Sequence, residues 1–306
     1  MAFKNENVNK TYQKVIKTMK MKHIAKIESG QDGAIFGDYL FRFDSRGAGK
    51  VYLLSSLSFD ATEPCELSPI CKFTLDRAEE IVPHSNSVFF GSEYFDEGDE
   101  FPLLYSNMYN NFAKREDRMI GVVCVYRITR SGVDFSSELV GLIKVGFADE
   151  RGLWLSRGEV ADVRPYGNFV ADNKNGKLYA FVMRDGDKMT RYFRFAMPSV
   201  KSGVPDAKFG INTVTLSEAD IEEYFDVPYH NYMQGAIFHE GKIYEVEGFG
   251  KDVRSAIRII DTEKKCEQLY FDFYEAGYGI EPEFIDFFGS KCIYGDAHGN
   301  LFLLTH

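Results

Sequence analysis

One hairpin-like unit occurs at least twice in this chain. The segments GAIFGDYLFRF from Gly33 and GAIFHEGKIYEVE from Gly235 share an apolar strand, a tight turn and an alternating strand. Alternating strands need neighbours against which to bury their apolar side chains, and a repeated unit of this kind demands an array of similar small sheets. Searching for the same pattern of β-branched and aromatic runs between Gly, Asn and Asp turns predicts five units. The 27 Phe and 18 Tyr residues suit face-to-face packing of such sheets and argue against a helical fold.

Unit one spans Gly33 to Phe36, Tyr39 to Phe43, Lys50 to Ser56 and Cys71 to Leu75. Unit two spans Ser87 to Phe90, Pro102 to Asn107, Gly121 to Thr129 and Glu138 to Val145. Unit three spans Asn168 to Asp172, Leu178 to Arg184, Arg191 to Met197 and Asn212 to Leu216, with Asn175-Gly176 supplying a hairpin turn. Unit four spans Gly235 to Phe238, Lys242 to Glu247, Ala256 to Asp261 and Gln268 to Phe273. Unit five has three strands, Glu283 to Phe288, Lys291 to Asp296 and Asn300 to Thr305. The alternating segment HIAKIE, His23 to Glu28, has no partner of its own and is expected to supply the missing outer strand. A helix is predicted over Ser217 to Phe225, with Ser217 as its N-cap.

Units of about 50 residues match four-stranded propeller blades, and residues 21–306 resemble the β-propeller superfamily. The expected fold is all-β: five four-stranded antiparallel blades, closed by an N-terminal strand and preceded by an appendage over residues 1–20, helical or disordered. No WD, kelch or Asp-box signature ties the chain to one propeller family.

In a propeller the first strand of each blade lines the axis, so the residues leading into the five first strands converge on one mouth. Here they are polar: Gln31 and Asp32; His84, Ser85 and Asn86; Arg164, Tyr166 and Asn168; His230, Tyr232 and Gln234; Glu281 and Glu283. Amides and carboxylates hydrogen-bond hydroxyl groups and Tyr offers a ring face, which points to a small polar, carbohydrate-like ligand. A water-filled channel would be polar for the same reason. Five-bladed glycosidases, which the chain resembles in architecture, place an acid and a base on different axial strands. That resemblance implies catalytic parts for Asp32 and for Glu281 or Glu283, at about 5 Å for retention or about 6.5–9.5 Å for inversion. The third axial carboxylate of that family is replaced here by His84 and Asn86. Ala substitution of Asp32 or Glu283 is expected to abolish ligand binding and spare the fold. The other function class is a protein-interaction scaffold without catalysis, marked by an exposed apolar patch.

A net charge of −10 disfavours nucleic acid and anionic membranes as partners. Five cysteines, Cys65, Cys71, Cys124, Cys266 and Cys292, form no CxxC pair; with no signal-peptide or membrane-spanning run, a cytoplasmic location is expected. No cofactor is predicted. The acidic run Glu93, Asp96, Glu97, Asp99, Glu100 departs from calcium-loop spacing and is read as a solvated loop. Asp172 to Gly176 is read as a hairpin and Gly47 to Lys50 as a turn, and neither HExxH nor GxSxG occurs. Trp154 is expected to pack between blades, and the insertions Gly91 to Phe101 and Met108 to Met119 to act as connections.

Overall fold

A computed structural model describes residues 19–81, 83–108, 121–145, 168–183, 189–249, 253–273 and 275–305. Five sheets stand around one axis as a five-bladed β-propeller. Blade I is Gly33–Phe36, Tyr39–Phe43, Ala48–Leu53 and Cys71–Thr74. Blade II begins Val88–Phe90, Leu104–Met108, Val122–Ser131, Asp134–Val145, and blade III is Asn168–Asp172, Lys177–Met183, Met189–Ala196, Glu223–Pro228. Blade IV is Met233–His239, Lys242–Glu247, Ala256–Asp261 and Cys266–Asp272; blade V starts Pro282–Phe288, Lys291–Asp296, Asn300–Thr305. The innermost strands touch in the order I–II, II–III, III–IV, IV–V and V–I, so the ring is complete.

The period-2 alternation of each strand divides its side chains between the two neighbouring blades. In blade II, Val88, Phe90, Val122, Cys124 and Tyr126 join the core shared with blade I, while Phe89, Val123 and Val125 join the core shared with blade III. Five such cores fill the five gaps between blades. In the first, Phe41 meets Phe90, Phe101 and Phe135 edge-on at centroid distances of 5.2, 5.6 and 5.6 Å. Each buried Phe contributes about 1.5–3 kcal/mol through area removed from water, and edge-to-face geometry adds to it.

The ring closes through the predicted N-terminal strand. Lys20–Lys26 pairs antiparallel with Asn300–Thr305, from Lys20 opposite Thr305 to Lys26 opposite Asn300, with an irregularity between His23 and Ala25. The strand begins three residues earlier than HIAKIE. Cys65–Glu66 then adds a short parallel strand outside it. Residues 1–18 lie outside the described residues.

Two sequence expectations are corrected around blade III. Asn212–Leu216 belongs to blade II, pairing parallel with Asp134–Val145 from Leu142 opposite Thr213 to Val145 opposite Leu216, and Val204–Pro205 pairs beyond it. The predicted helix over Ser217 to Phe225 is one short turn, Glu218–Asp220, in which Ser217 N and Oγ donate to Asp220 Oδ2 at 2.7 Å. The capping signal was real, but it serves a single turn. Burial then decides the next residues: Phe225 and Val227 alternate into the blade III–IV core as the outer strand of blade III.

The two GAIF segments are both innermost strands, but they present opposite faces to the ring. Ala34 and Phe36 pack toward blade II, the next blade, whereas Ala236 and Phe238 pack toward blade III, the preceding one. The pairing of Met233–His239 is irregular between Met233 and Gly235. Both glycines allow a close approach: a Cβ on Gly33 would lie 2.1 Å from Phe41 O, and one on Gly235 2.7 Å from Glu283 O and 3.1 Å from Asp32 Oδ1.

Candidate functional site

The described residues of the five approach segments converge. A cavity of about 500 Å³ opens at the axial mouth, lined by Gln31 from blade I, His84 and Asn86 before blade II, Asn168 from blade III, Tyr229, Tyr232, Met233 and Gln234 before and in blade IV, and Glu281 before blade V, with Phe249 completing the wall. That volume suits a small molecule.

Side-chain amides bridge neighbouring blades around this mouth. Gln31 Nε2 donates to Glu283 Oε1 at 3.0 Å and Gln234 Nε2 to Glu281 Oε1 at 2.8 Å. Asn107 Nδ2 donates to Asn168 Oδ1 at 2.9 Å, while Asn107 Oδ1 accepts the backbone N–H groups of Asn86 and Ser87 at 3.1 and 2.9 Å. Asn107 is thus held at both ends, and Gln31, Gln234 and Asn168 each by one, which fixes the orientation of the other. On one side the wall is aromatic: Tyr229 and Tyr232 meet nearly perpendicular at 6.5 Å, and Tyr232 stacks on Phe249 at 5.8 Å. Tyr232 and Phe249 remain 47% and 44% exposed, flat surfaces available to a ligand.

Asp32, Arg42 and Glu283 are buried and do not line the cavity. Asp32 Oδ2 accepts the Val88 N–H at 2.8 Å, tying blade I to blade II. Burial drives its pKa well up against the pull of the Gly33 and Val88 N–H groups and of Arg42. Glu283 is also pushed well up, by burial and by the charge of Glu281. Arg42 donates to Gly30 O at 3.0 Å and lies over the Phe284 ring at 5.0 Å. Its Nε and Nη1, with Asp32 Oδ1 and Glu283 Oε2, have no hydrogen-bond partner among the described residues. Asp286, raised to about 7 by burial, accepts the Ile35 N–H at 2.6 Å and ties blade V to blade I. In the cavity itself, burial raises Glu281 and lowers His84, favouring the uncharged form of each.

A second buried network anchors the aromatic wall. Arg258, fully buried between blades III and IV, donates from Nε to Glu267 Oε2 at 2.9 Å and from Nη2 to Pro228 O at 2.7 Å. His230 Nε2 lies 2.9 Å from the same Glu267 oxygen, and Gly248 N donates to Tyr232 O at 2.8 Å. The segment bearing Tyr229 and Tyr232 is therefore fastened at Pro228, His230 and Tyr232. Tyr192 OH donates to Glu245 Oε1, and Glu247 is raised to about 8, chiefly by burial.

Of the residues singled out from sequence, Gln31, His84, Asn86, Asn168, Tyr232, Gln234 and Glu281 line the cavity. Asp32 and Glu283 are displaced from the wall because their side chains are engaged in joining blades, and His230 because it pairs with Glu267. Arg164, Tyr166, Trp154 and 109–119 of the second insertion lie outside the described residues. Sequence reasoning missed Phe249, Arg42 and Arg258. For the arginines a signal existed: each interrupts an apolar run, FRF and IRII, where an unpaired charge could not be buried.

Among the described residues no group of three or more His, Cys, Asp or Glu side chains is placed to hold a metal ion. In the acidic loop, Asp96 and Asp99 pair with Arg127 at 2.8 and 2.6 Å, Glu100 with Arg130 at 2.8 Å, and Glu93 accepts from Ser199 at 2.6 Å. Asp172 closes the expected hairpin by accepting from Asn175 Nδ2 at 2.7 Å. No described helix is long and apolar enough to cross a membrane.

No protein-family model matches the chain. No characterised protein matches it in sequence. Solved structures similar to it include the glutaminyl cyclase of Myxococcus xanthus, at 14% identity and a TM-score of 0.43 over 94% of each chain. A luciferin-regenerating enzyme is similar at 10% identity and a TM-score of 0.44, over 94% of this chain and 96% of that one. A putative glucose dehydrogenase-type oxidoreductase of Thermus thermophilus has the same identity and score, over 94% of this chain and all of the other.

Proposed function

We propose that the propeller binds a small polyhydroxylated, carbohydrate-like molecule at its axial mouth. The observation that carries this reading is the pairing, in one cavity, of amides from blades I, III and IV with the wall of Tyr229, Tyr232 and Phe249. Amides held at one end present fixed partners to hydroxyl groups, and exposed rings cover the apolar face of a sugar. The described lining residues include no Lys or Arg, which favours an uncharged or cationic ligand over a phosphate.

Turnover is a narrower matter. Glu281 is the only carboxylic acid among the described lining residues, and a raised pKa suits a general acid. Asp32 serves blade joining, so the two-carboxylate glycosidase arrangement is not favoured and the reading rests on binding. A thermal-shift and calorimetric screen of mono- and oligosaccharides and sugar phosphates tests it. A saccharide that raises Tm, with the shift lost in Tyr232→Ala and Gln234→Ala, supports the assignment; no response to any saccharide overturns it in favour of the scaffold.

A further inference from the structure

The described part of the cavity is rich in acceptors. Gln31 and Gln234 each use the amide nitrogen on a carboxylate, Glu283 and Glu281, which leaves their carbonyl oxygens as acceptors. Asn86 Oδ1 is buried with no partner among the described residues. Against these, Asn168 accepts from Asn107 through Oδ1 and so keeps its nitrogen as donor. Glu281 faces a cavity whose described lining has no cation, and among the described residues the donor to its carboxyl group is the neutral Gln234 amide. A half-desolvated carboxyl group in such surroundings gains most from a ligand that brings its own positive charge.

Building on the carbohydrate-like reading, we infer that the cavity selects a hydroxylated ligand bearing a free amino group, with the ammonium paired to Glu281 and its hydroxyls to the Gln31 and Gln234 carbonyls. The aromatic wall adds to this choice, since Tyr229, Tyr232 and Phe249 also attract a cation held over their faces. The chain's net charge of −10 favours approach of a cationic ligand. Glu281 is here a specificity residue, and no bond is made or broken.

Calorimetric titration of the full chain with glucosamine, glucose and N-acetylglucosamine tests this, with Glu281→Gln as the variant and its Tm as the folding control. Glucosamine is expected to bind at least about tenfold more tightly than the other two, as a desolvated charge-assisted hydrogen bond implies. In Glu281→Gln the ratio of glucosamine to glucose affinity should fall to about one, since the Gln side chain keeps an acceptor in place but no charge. If Glu281→Gln unfolds, Glu281→Asp should keep a reduced preference for the amine. Equal affinity for glucose and glucosamine would overturn the amino-group inference and leave the carbohydrate reading standing. Binding of none of the three would overturn both.

Discussion

Asp32 of blade I and Val88 of blade II are joined by a 2.8 Å hydrogen bond from the Val88 backbone N–H to Asp32 Oδ2, made in full burial. A carboxyl group in this position acts as a backbone clamp between adjacent innermost strands, and Asp286 does the same for Ile35 across the blade V–I boundary. The sequence-based expectation that Asp32→Ala would leave the fold intact is therefore reversed. Removing the acceptor strands a buried N–H, which costs about 1–3 kcal/mol. Asp32→Ala should lower Tm by several degrees, whereas Asp32→Asn, which keeps an acceptor oxygen, should fall well short of that loss. Equal loss in both variants, read by differential scanning calorimetry, would refute the clamp.

Stability should fall as pH rises above the acid range. Burial raises Asp286 to about 7 and Glu247 to about 8, so the folded chain holds protons that the unfolded chain has released. The contribution of each is complete below its ordinary pKa near 4 and lost as pH rises through the raised value, at about 1.4 kcal/mol per pH unit per group. At the acid end the sign reverses. Lys177 holds Glu222 down, Lys265 holds Glu223 down, and the Ser217 N–H and hydroxyl hold Asp220 down, so those contributions are lost as pH falls through their lowered values. Urea midpoints measured from pH 3 to 9 should peak between about pH 4 and 5.

Arg258→Ala should destabilise severely, by about 3–5 kcal/mol, because Glu245, Glu247 and Glu267 would lose their shared buried cation. The urea midpoint at pH 7 measures it. The loss should grow between pH 7 and pH 9, as Glu247, raised to about 8, gives up its proton beside the missing cation; a loss independent of pH would show that packing rather than charge is at stake.

Tyr232→Ala tests the aromatic wall apart from the core. With the ring 47% exposed, Tm should change by less than about 2 °C, while saccharide affinity should drop about tenfold. Unchanged affinity in calorimetric titration would remove Tyr232 from the site.

Closure of the ring by Lys20–Lys26 predicts a sharp boundary for truncation. Deletion of residues 1–18 should leave Tm within a few degrees, whereas deletion through residue 27 removes Ile24, Ala25 and Ile27 from the blade V–I core and exposes the edge of Asn300–Thr305. Loss of soluble, cooperatively unfolding protein only in the longer deletion is the expected result.

The sequence by itself determined the five blades, the closing N-terminal strand and most of the cavity lining. Each of these rests on short-range regularities: period-2 alternation in Val122 to Tyr126, turn residues at Asn175-Gly176, and polar runs such as His84 to Asn86 ahead of apolar strands. Tertiary structure alone decided the rest. Strands of period 2 exchange faces on a one-residue slip, so identical GAIF segments could be recognised as inner strands but not assigned to a neighbour. Asn212–Leu216 reads as a strand from its own residues, yet its parallel partner lies some 70 positions earlier, and nothing local encodes that choice. The same holds for Asp32, Glu283 and His230. Their chemistry was legible, but whether a carboxyl group meets a ligand or a backbone N–H depends on which residue a distant blade brings within hydrogen-bonding range, and only the closed ring settles that.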